Sequence, residues 1–482
     1  MKDNIFRNKN KWFYLFLMMC ITFFSLQSHA GSKKLRFGSP ESAGMDSEKI
    51  KQVAQNLQVL VDEERLAGMV TIAARHGKIV HYETMGYQDI ATKTPMEKDT
   101  IFRVYSMSKP ITGVAMMMLF EEKKFRLSDP VEKYIPEFAD MQVYVGLDDD
   151  GNMITEPANS SITIRQLMNH TAGFGYGTMM GNHPVHVMLS EANNFDADSS
   201  LQDMITKMST VPLLFQPGTN FSYSASVDIQ GYLVEKLSGQ RFGEFLQERI
   251  FEPLEMNDTA FYVPVEKHDR LAEVYHYDIN SKLVEQELYG NVIRFKEEQM
   301  LEAGGWGLVS TAMDYLRFSQ MLLNGGKLDG VRLLKPKTVR MMRTNQLPEH
   351  LVNNLDPLLG GQPGASFGLN FGIVEDPEGN PVGGYSKGEY YWGGAAGTWF
   401  WIDPVEDLVF VGMVQQFAGQ PQIPDVRMIS KHAFYQAITD SESDDDDTDS
   451  ESDDDDTDSE SDDDDTDSES DDDDTDSESD DD

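Results

Sequence analysis

The chain has 482 residues, with 82 acidic and 40 basic side chains and a formal net charge of −42. Residues 440–482 hold 29 of the acidic side chains and none of the basic ones, so the rest of the chain has a net charge of only −13. This balance argues against nucleic-acid binding, which needs a basic surface. The length allows a large core, and we expect one main folded unit with two subdomains.

Residues 1–30 have the pattern of a secretion signal. Basic residues precede an apolar run at 12–24, and Ser28-His29-Ala30 offers a small-x-small cleavage site. An uncleaved membrane anchor is the alternative, although the run is short for a membrane span. The only cysteine, Cys20, lies in this segment, so a mature chain starting at Gly31 excludes thiol catalysis and cysteine metal sites. We expect a bacterial protein in the periplasm or secreted.

The next segments predict a helix, a hairpin and a second helix. Residues 46–64 have apolar side chains at helical spacing. The β-rich runs 68–75 and 79–84 flank His76-Gly77-Lys78, which indicates a hairpin turn. Residues 109–122 are apolar on all sides, and such a helix belongs at the centre of a domain.

The remaining elements complete an α+β order. Residues from roughly 130 to 300 are rich in helix and loop signals, and we expect a mostly helical subdomain there. Strand-like runs follow at 367–374, 397–403 and 408–414, and residues 424–439 indicate a closing helix. Strands, then helices, then strands predict an α+β fold rather than a doubly wound sheet.

A serine and a lysine stand three residues apart in Tyr105-Ser106-Met107-Ser108-Lys109, where the apolar helix begins. Positions i and i+3 share a helix face, so this spacing places the Ser106 hydroxyl beside the Lys109 amine. A serine hydroxyl is a weak nucleophile at neutral pH, and a neighbouring amine is one of the few groups able to activate it. The same spacing alone also occurs at ordinary solvated helix starts.

Two later motifs complete a pattern. Gln216-Pro217-Gly218 forms a turn that presents Tyr223 ahead of an apolar helical stretch, and Trp392-Gly393-Gly394-Ala395 belongs to a strand whose glycines permit close approach of a ligand. With these motifs in order, the chain resembles the serine β-lactamase and penicillin-binding-protein superfamily over residues 38–416. Within it the chain looks most like the family VIII carboxylesterases, relatives of class C β-lactamases. The resemblance implies an antiparallel sheet flanked by helices, with the active site in the cleft against the helical subdomain.

The resemblance also implies individual roles. Ser106 is the nucleophile that forms an acyl-enzyme, and Tyr223 is the proton shuttle. Lys109 is either a cation that lowers the pKa of a nearby phenol or a desolvated, neutral base. We expect the pKa of Tyr223 to be lowered enough for work near neutral pH. The backbone N–H groups of Ser106 and Ala395 form the oxyanion hole.

Departures from the β-lactamase pattern favour an ester substrate. Trp392, Gly393 and Gly394 are substrate-binding positions that stand where β-lactamases carry Lys-Thr-Gly, whose polar groups meet the penicillin carboxylate. Ala225 replaces an asparagine that helps to bind acylamino groups. We therefore expect an exported carboxylesterase for short or medium acyl esters, working by a Ser-Lys-Tyr mechanism on a small-molecule ester. The alternatives are a β-lactamase or D-alanyl-D-alanine carboxypeptidase, an acyltransferase, or a catalytically silent surface-binding protein.

Other candidate residues are discounted. Gly364-Ala365-Ser366-Phe367-Gly368 matches the G-x-S-x-G elbow, but a strand-like run follows it rather than a helix. His170 is expected to be structural, and His183 and His186 have no accompanying carboxylate cluster. We expect no metal and no cofactor.

The tail, residues 440–482, repeats Asp-Ser-Glu-Ser-Asp-Asp-Asp-Asp-Thr without an apolar residue. Such a segment cannot offset the entropy of ordering, so we expect a disordered, solvating tail. The alternative is weak binding of divalent cations or of a cationic surface. The repeat lacks the glycine and the spacing of an EF-hand loop, so we expect no tight calcium site.

Overall fold

The computed structural model describes residues 34–286, 294–352, 364–378, 386–417 and 426–439. The chain divides into two units, Met1–Asp440 and Ser441–Asp482, and all described residues belong to the first. The predicted signal segment and the repeat tail lie outside the described residues. Within those ranges, no helix is long and apolar enough to cross a membrane.

The described ranges contain α-helices, strands, short 3₁₀ turns and a π-helical turn at Gln247–Phe251. The helices are α1 Ser47–Asp62, α2 Ser108–Glu121, α3 Ile164–Met168, α4 Pro184–Glu191, α5 Leu201–Met208, α6 Ser226–Ser238, α7 Phe242–Leu246, α8 Ala312–Leu323, α9 Pro336–Met342 and α10 Val426–Tyr435. The strands are β1 Arg36–Phe37, β2 Gly68–Arg75, β3 Lys78–Asp89, β4 Thr94–Pro95, β5 Phe102–Arg103, β6 Gln142–Leu147, β7 Met153–Pro157, β8 Tyr275–Tyr277, β9 Leu283–Glu285, β10 Val309–Ser310, β11 Lys327–Leu328, β12 Val331–Arg332, β13 Ala365–Phe367, β14 Gly372–Val374, β15 Tyr390–Gly393, β16 Trp399–Asp403 and β17 Leu408–Met413.

The main sheet has nine strands in the order β1-β3-β2-β17-β16-β15-β14-β13, with β4 beside β3. Helices α1 and α10 pack together on one face, and α2 and α8 lie on the other. The predicted α+β fold, a sheet flanked by helices, is confirmed. The sheet is mixed rather than wholly antiparallel, because β1 runs parallel to β3. With two residues, β1 is too short to carry an orientation signal in the sequence.

Local signals account for the elements at the start of the sheet. The Asp46 carboxylate caps α1 by accepting the N–H of Glu48 at 2.8 Å and of Lys49 at 3.0 Å. The turn between β2 and β3 is made by His76 and Gly77, which both have positive φ, 54° and 70°, the geometry that suits a two-residue hairpin. The predicted first helix and hairpin are both confirmed.

Helix α2 is the centre of the molecule. Every residue from Ser108 to Leu119 is buried, as the apolar sequence predicts. It packs against α6, so the two helices that follow the Ser106 and Tyr223 motifs are neighbours. This packing brings together two motifs that are distant in the sequence.

Two hairpins in the span from 130 to 300 were not predicted from the sequence, β6 with β7 and β8 with β9. Strand β7 is exposed along most of its length, so its sequence has no alternation between buried and exposed positions. The same span contains α3 to α7, and the helical subdomain remains a prediction.

Candidate active site

Ser106 lies in a 3₁₀ turn, Tyr105–Met107, between β5 and α2, and is half-buried. The preceding Tyr105 has a φ of +42°, which is uncommon for an aromatic residue and costs conformational energy. Surrounding contacts hold the turn: the Tyr315 hydroxyl donates to the Met107 carbonyl at 2.9 Å, and the Ser108 hydroxyl accepts the N–H of Leu308 at 3.1 Å. Ser106 is therefore presented by a strained turn that these contacts hold in place.

Lys109 has no solvent-exposed surface. Its Nζ lies 3.3 Å from Ser106 Oγ, 3.2 Å from Tyr176 Oη and 2.7 Å from the Gly305 carbonyl oxygen. Burial lowers the pKa of Lys109 to about 7, because the charged form loses its hydration, while the Asp228 carboxylate acts in the opposite direction. A substantial fraction of the amine is therefore neutral at neutral pH and able to accept a proton.

Tyr223 lies in the loop before α6, with its ring over the lysine. Lys109 Nζ is 4.5 Å from the ring centroid, and the ring packs against Trp392 at a centroid distance of 5.6 Å. Burial raises the pKa of Tyr223 above its ordinary value, and the Ser106 hydroxyl and the Trp392 indole oppose this only in part. The expected lowering of the Tyr223 pKa is therefore wrong, because the phenol is fully desolvated. The phenol is therefore protonated at neutral pH rather than a phenolate.

The turn between β15 and β16 approaches the nucleophile closely. A side chain at Gly394 would place its Cβ 2.5 Å from the Val104 carbonyl oxygen, so only glycine allows this contact. Neither the Ser106 N–H nor the Ala395 N–H has a hydrogen-bond partner among the described residues. Both amides are thus free donors, and the oxyanion hole remains a prediction that fits them.

Residues Trp392 and Gly393 face opposite sides of β15. Trp392 is nine-tenths buried against Tyr223 and Phe367. Its indole N–H has no hydrogen-bond partner of normal geometry in the part of the chain that the structure describes. A Cβ on Gly393 would instead meet the Arg427 guanidinium at 2.5 Å, on the side covered by α10. Of these two predicted substrate-binding residues, only Trp392 therefore lies against the reactive groups.

Aromatic rings surround the reactive groups beyond Trp392. They form two groups with centroid distances of 5.3–5.7 Å, Tyr176 with Phe195 and Trp306, and Phe221 with Phe367 and Trp392. Tyr223 joins the two groups, since its ring lies 5.6 Å from Tyr176 and 5.6 Å from Trp392. These mostly buried rings make the surroundings of the reactive groups apolar.

The protein-family model described as Beta-lactamase matches residues 53–432, most of the chain. The chain belongs to the β-lactamase family. This match confirms the superfamily resemblance. Together with the esterase relatives described in the next paragraph, it identifies the protein as a serine hydrolase.

Three relatives show which members of the β-lactamase family this chain is similar to. Protein Rv1367c of Mycobacterium tuberculosis is 35% identical over 390 residues, 77% of this chain and 94% of the relative. Esterase EstB of Burkholderia gladioli is 29% identical over 359 residues, 70% of this chain and 83% of EstB. EstCE1, a solved structure described as a hydrolase with promiscuous acyltransferase activity, is 26% identical with a TM-score of 0.66, covering 81% of this chain and 99% of EstCE1.

Two residues of the site were missed in the sequence. Tyr176, in a glycine-flanked loop, contacts Lys109 Nζ. Asp228 is fully buried on α6, where burial raises its pKa to about 6 although Lys109 opposes this. An acidic residue between the apolar Val227 and Ile229 of α6 is a signal that could have found Asp228. Nothing local distinguishes Tyr176.

The discounted residues lie in structural settings. Ser366 is in β13, paired with β14, and donates to Asn345 Oδ1 at 2.5 Å, so no strand-to-helix elbow forms there. His170 is buried among aromatic rings, and its pKa is lowered well below the usual range by burial and by Lys109. His183 caps α4. The described ranges contain no group of three or more His, Cys, Asp or Glu side chains that could hold a metal ion.

Proposed function

We propose that the protein is an exported carboxylesterase that hydrolyses short or medium acyl esters through an acyl-enzyme on Ser106. The observation that carries this proposal is a buried Lys109 amine 3.3 Å from Ser106 Oγ. Trp392 lies beside Tyr223, at the position where the resemblance to β-lactamases implies the polar Lys-Thr-Gly motif. The 29% identity to an esterase, EstB, supports the choice of an ester as substrate.

The proposed acylation moves one proton in a relay. The neutral Lys109 amine takes the proton of Ser106 as Oγ forms a bond to the ester carbonyl carbon. The oxyanion accepts hydrogen bonds from the Ser106 and Ala395 amides. Tyr223 gives its proton to the departing alkoxide as the ester C–O bond breaks, and the Lys109 ammonium returns a proton to Tyr223.

In deacylation, water replaces Ser106 as the nucleophile and Lys109 again transfers the proton. A water molecule loses a proton to Lys109 and its oxygen bonds to the acyl carbon. As the bond between that carbon and Ser106 Oγ breaks, the Lys109 ammonium returns the proton to Oγ. The products are the carboxylic acid and the free enzyme. No metal or cofactor enters either half of this proposed reaction.

Hydrolysis of p-nitrophenyl butyrate by the purified protein tests the proposal, with Ser106→Ala beside it. We expect activity in the wild-type protein and its loss in Ser106→Ala, while Ser366→Ala, a serine outside the site, retains activity. Equal activity in wild type and Ser106→Ala would refute the assignment. A chromogenic cephalosporin hydrolysed as fast as the ester would favour the β-lactamase alternative.

Acyl transfer is the second candidate, because EstCE1 is described as a hydrolase with promiscuous acyltransferase activity. The acyl-enzyme would then react with an alcohol or amine instead of water. Adding acceptor alcohols to the butyrate assay and measuring the transesterified product tests this candidate.

Export is proposed from the signal pattern of residues 1–30 and the small-x-small site before Gly31. Expression of the full chain in a bacterial host, followed by cell fractionation and sequencing of the mature N-terminus, tests it. An N-terminus at Gly31 in the periplasmic or secreted fraction is the expected result. Full-length protein retained in the cytoplasm would contradict it.

A further inference from the structure

One glycine connects a buried carboxylate to the catalytic lysine. Asp228 Oδ1 accepts the N–H of Gly305 at 2.8 Å, and the Gly305 carbonyl oxygen accepts from Lys109 Nζ at 2.7 Å. The carboxylate is fully buried, and its Oδ2 has no hydrogen-bond partner among the described residues. An ionisable group held in this way is costly to bury, so its presence calls for a counter-charge.

The glycine segment fits closely between α2 and α6. A Cβ on Gly304 would lie 2.7 Å from the Val227 carbonyl oxygen, and a Cβ on Gly305 would lie 2.7 Å from Asp228 Oδ2. From the other side, the Thr112 hydroxyl of α2 donates to the Gly304 carbonyl at 2.7 Å. The segment is thus fixed against both helices, and the position of the Gly305 carbonyl depends on Asp228.

The other titratable groups around Lys109 are uncharged at neutral pH. Burial raises the pKa of Tyr176 and of Tyr223 and lowers the pKa of His170. Asp228 is the carboxylate that interacts electrostatically with Lys109. The charge balance of this buried site therefore rests on the Asp228–Lys109 pair.

We propose that Asp228 is a positioning residue for the hydrolysis proposed above: through Gly305 it holds the Lys109 amine beside Ser106 and Tyr223, and its negative charge sets the pH range in which that amine is neutral. This inference rests on the proposed function. Asp228 touches no reacting atom and acts only through Lys109 and the glycine segment.

The Asp228→Asn variant keeps the size of the side chain and an acceptor for the Gly305 N–H but removes the charge. Loss of the charge favours the neutral amine, so the acidic limb of kcat/KM against pH moves to lower pH by about 1 unit. An amide oxygen is a weaker acceptor than a carboxylate, so the Gly305 segment and the amine are held less firmly, which lowers kcat at the plateau by up to about 100-fold with KM little changed. A merely structural role would lower the amount of active enzyme without moving the limb.

The experiment measures p-nitrophenyl butyrate hydrolysis from about pH 5 to pH 9, with active sites counted by a fluorophosphonate probe. Asp314→Asn is the matched control, because Asp314 is also a buried aspartate whose pKa burial raises to about 6, but it contacts Asp258 and Thr259 rather than the site. We expect the limb to move in Asp228→Asn alone. The inference is overturned if the acidic limb of kcat/KM does not move in Asp228→Asn, or if it moves equally in both variants.

Gly305→Ala keeps both charges while its Cβ displaces the carboxylate, so it provides a test that does not depend on the folding of Asp228→Asn. We expect a lower plateau kcat per titrated active site; an unchanged value would overturn the positioning role. The wild-type protein and Ser106→Ala, measured beside the variants, separate the two proposals. Failure of the esterase proposal shows in those two proteins, whereas failure of this inference shows only in the Asp228 and Gly305 variants.

Discussion

Replacing Lys109 with arginine distinguishes the two roles that the sequence left open for this residue. An arginine side chain stays protonated at every accessible pH, so it can supply a positive charge but cannot accept a proton. The Nζ of Lys109 lies 3.3 Å from Ser106 Oγ, close enough for direct transfer. If Lys109 is the base, Lys109→Arg loses at least about 100-fold in kcat/KM, the usual contribution of a general base.

The pH dependence of wild-type activity is a second, quantitative test of whether Lys109 acts as the base. The pKa of Lys109, lowered by burial to about 7, makes about half of the amine neutral at pH 7 and about a tenth at pH 6. If the neutral amine is the base, we expect activity above pH 7 that is lost as pH falls through it, by about fivefold between pH 7 and pH 6 and about tenfold more by pH 5.

The assay is kcat/KM for p-nitrophenyl butyrate against pH. Lys431→Arg is the matched control, since Lys431 is a nearly buried lysine paired with Glu389 outside the site. The reasoning is refuted if Lys109→Arg stays within about tenfold of wild type and the wild-type profile has no limb near neutral pH. Lys109 would then be a permanent cation.

Two further predictions concern the proton donor and the oxyanion hole. Tyr223→Phe should reduce kcat/KM by about 10²–10⁴ for an alkyl ester but much less for p-nitrophenyl butyrate, because p-nitrophenolate leaves without a proton; equal losses on ethyl and p-nitrophenyl butyrate would contradict the donor role. Gly394→Ala should lower kcat by about 10²–10³, because its Cβ would lie 2.5 Å from the Val104 carbonyl and displace the Ala395 amide. Gly146→Ala, whose Cβ would meet nothing within 4 Å, is the control, and comparable losses in both variants would count against the oxyanion hole.

The i, i+3 spacing of Ser106 and Lys109 predicted their contact correctly, although Ser106 lies in a 3₁₀ turn before the helix rather than in it. That contact depends on local backbone geometry, which a short sequence determines. The approach of Tyr223 and Trp392 depends on the packing of α6 and β15, and only the resemblance to a family placed them at the site. Such contacts between distant segments carry no local signal.

What the sequence could not predict follows from burial and from long-range contacts. The direction of the Tyr223 pKa depends on how completely the fold removes water from the phenol. The Asp228–Gly305 hydrogen bond joins residues 77 positions apart, and no local pattern relates the two residues. The exposed strand β7 has no buried face that could produce a pattern.

The apolar character of α2 links the fold to the chemistry. A lysine on an exposed helix face would be a hydrated cation at neutral pH and could not act as a base. Lys109 instead begins a helix that is buried on all sides, so the packing that forms the core also desolvates the amine. Desolvation alone would leave the protonated Lys109 amine without a counter-charge. Asp228 supplies that charge, and hydrogen bonds through Gly305 join the two residues. The core helix, the glycine segment and the buried carboxylate therefore act as one unit, and altering any of them should impair the activation of Ser106.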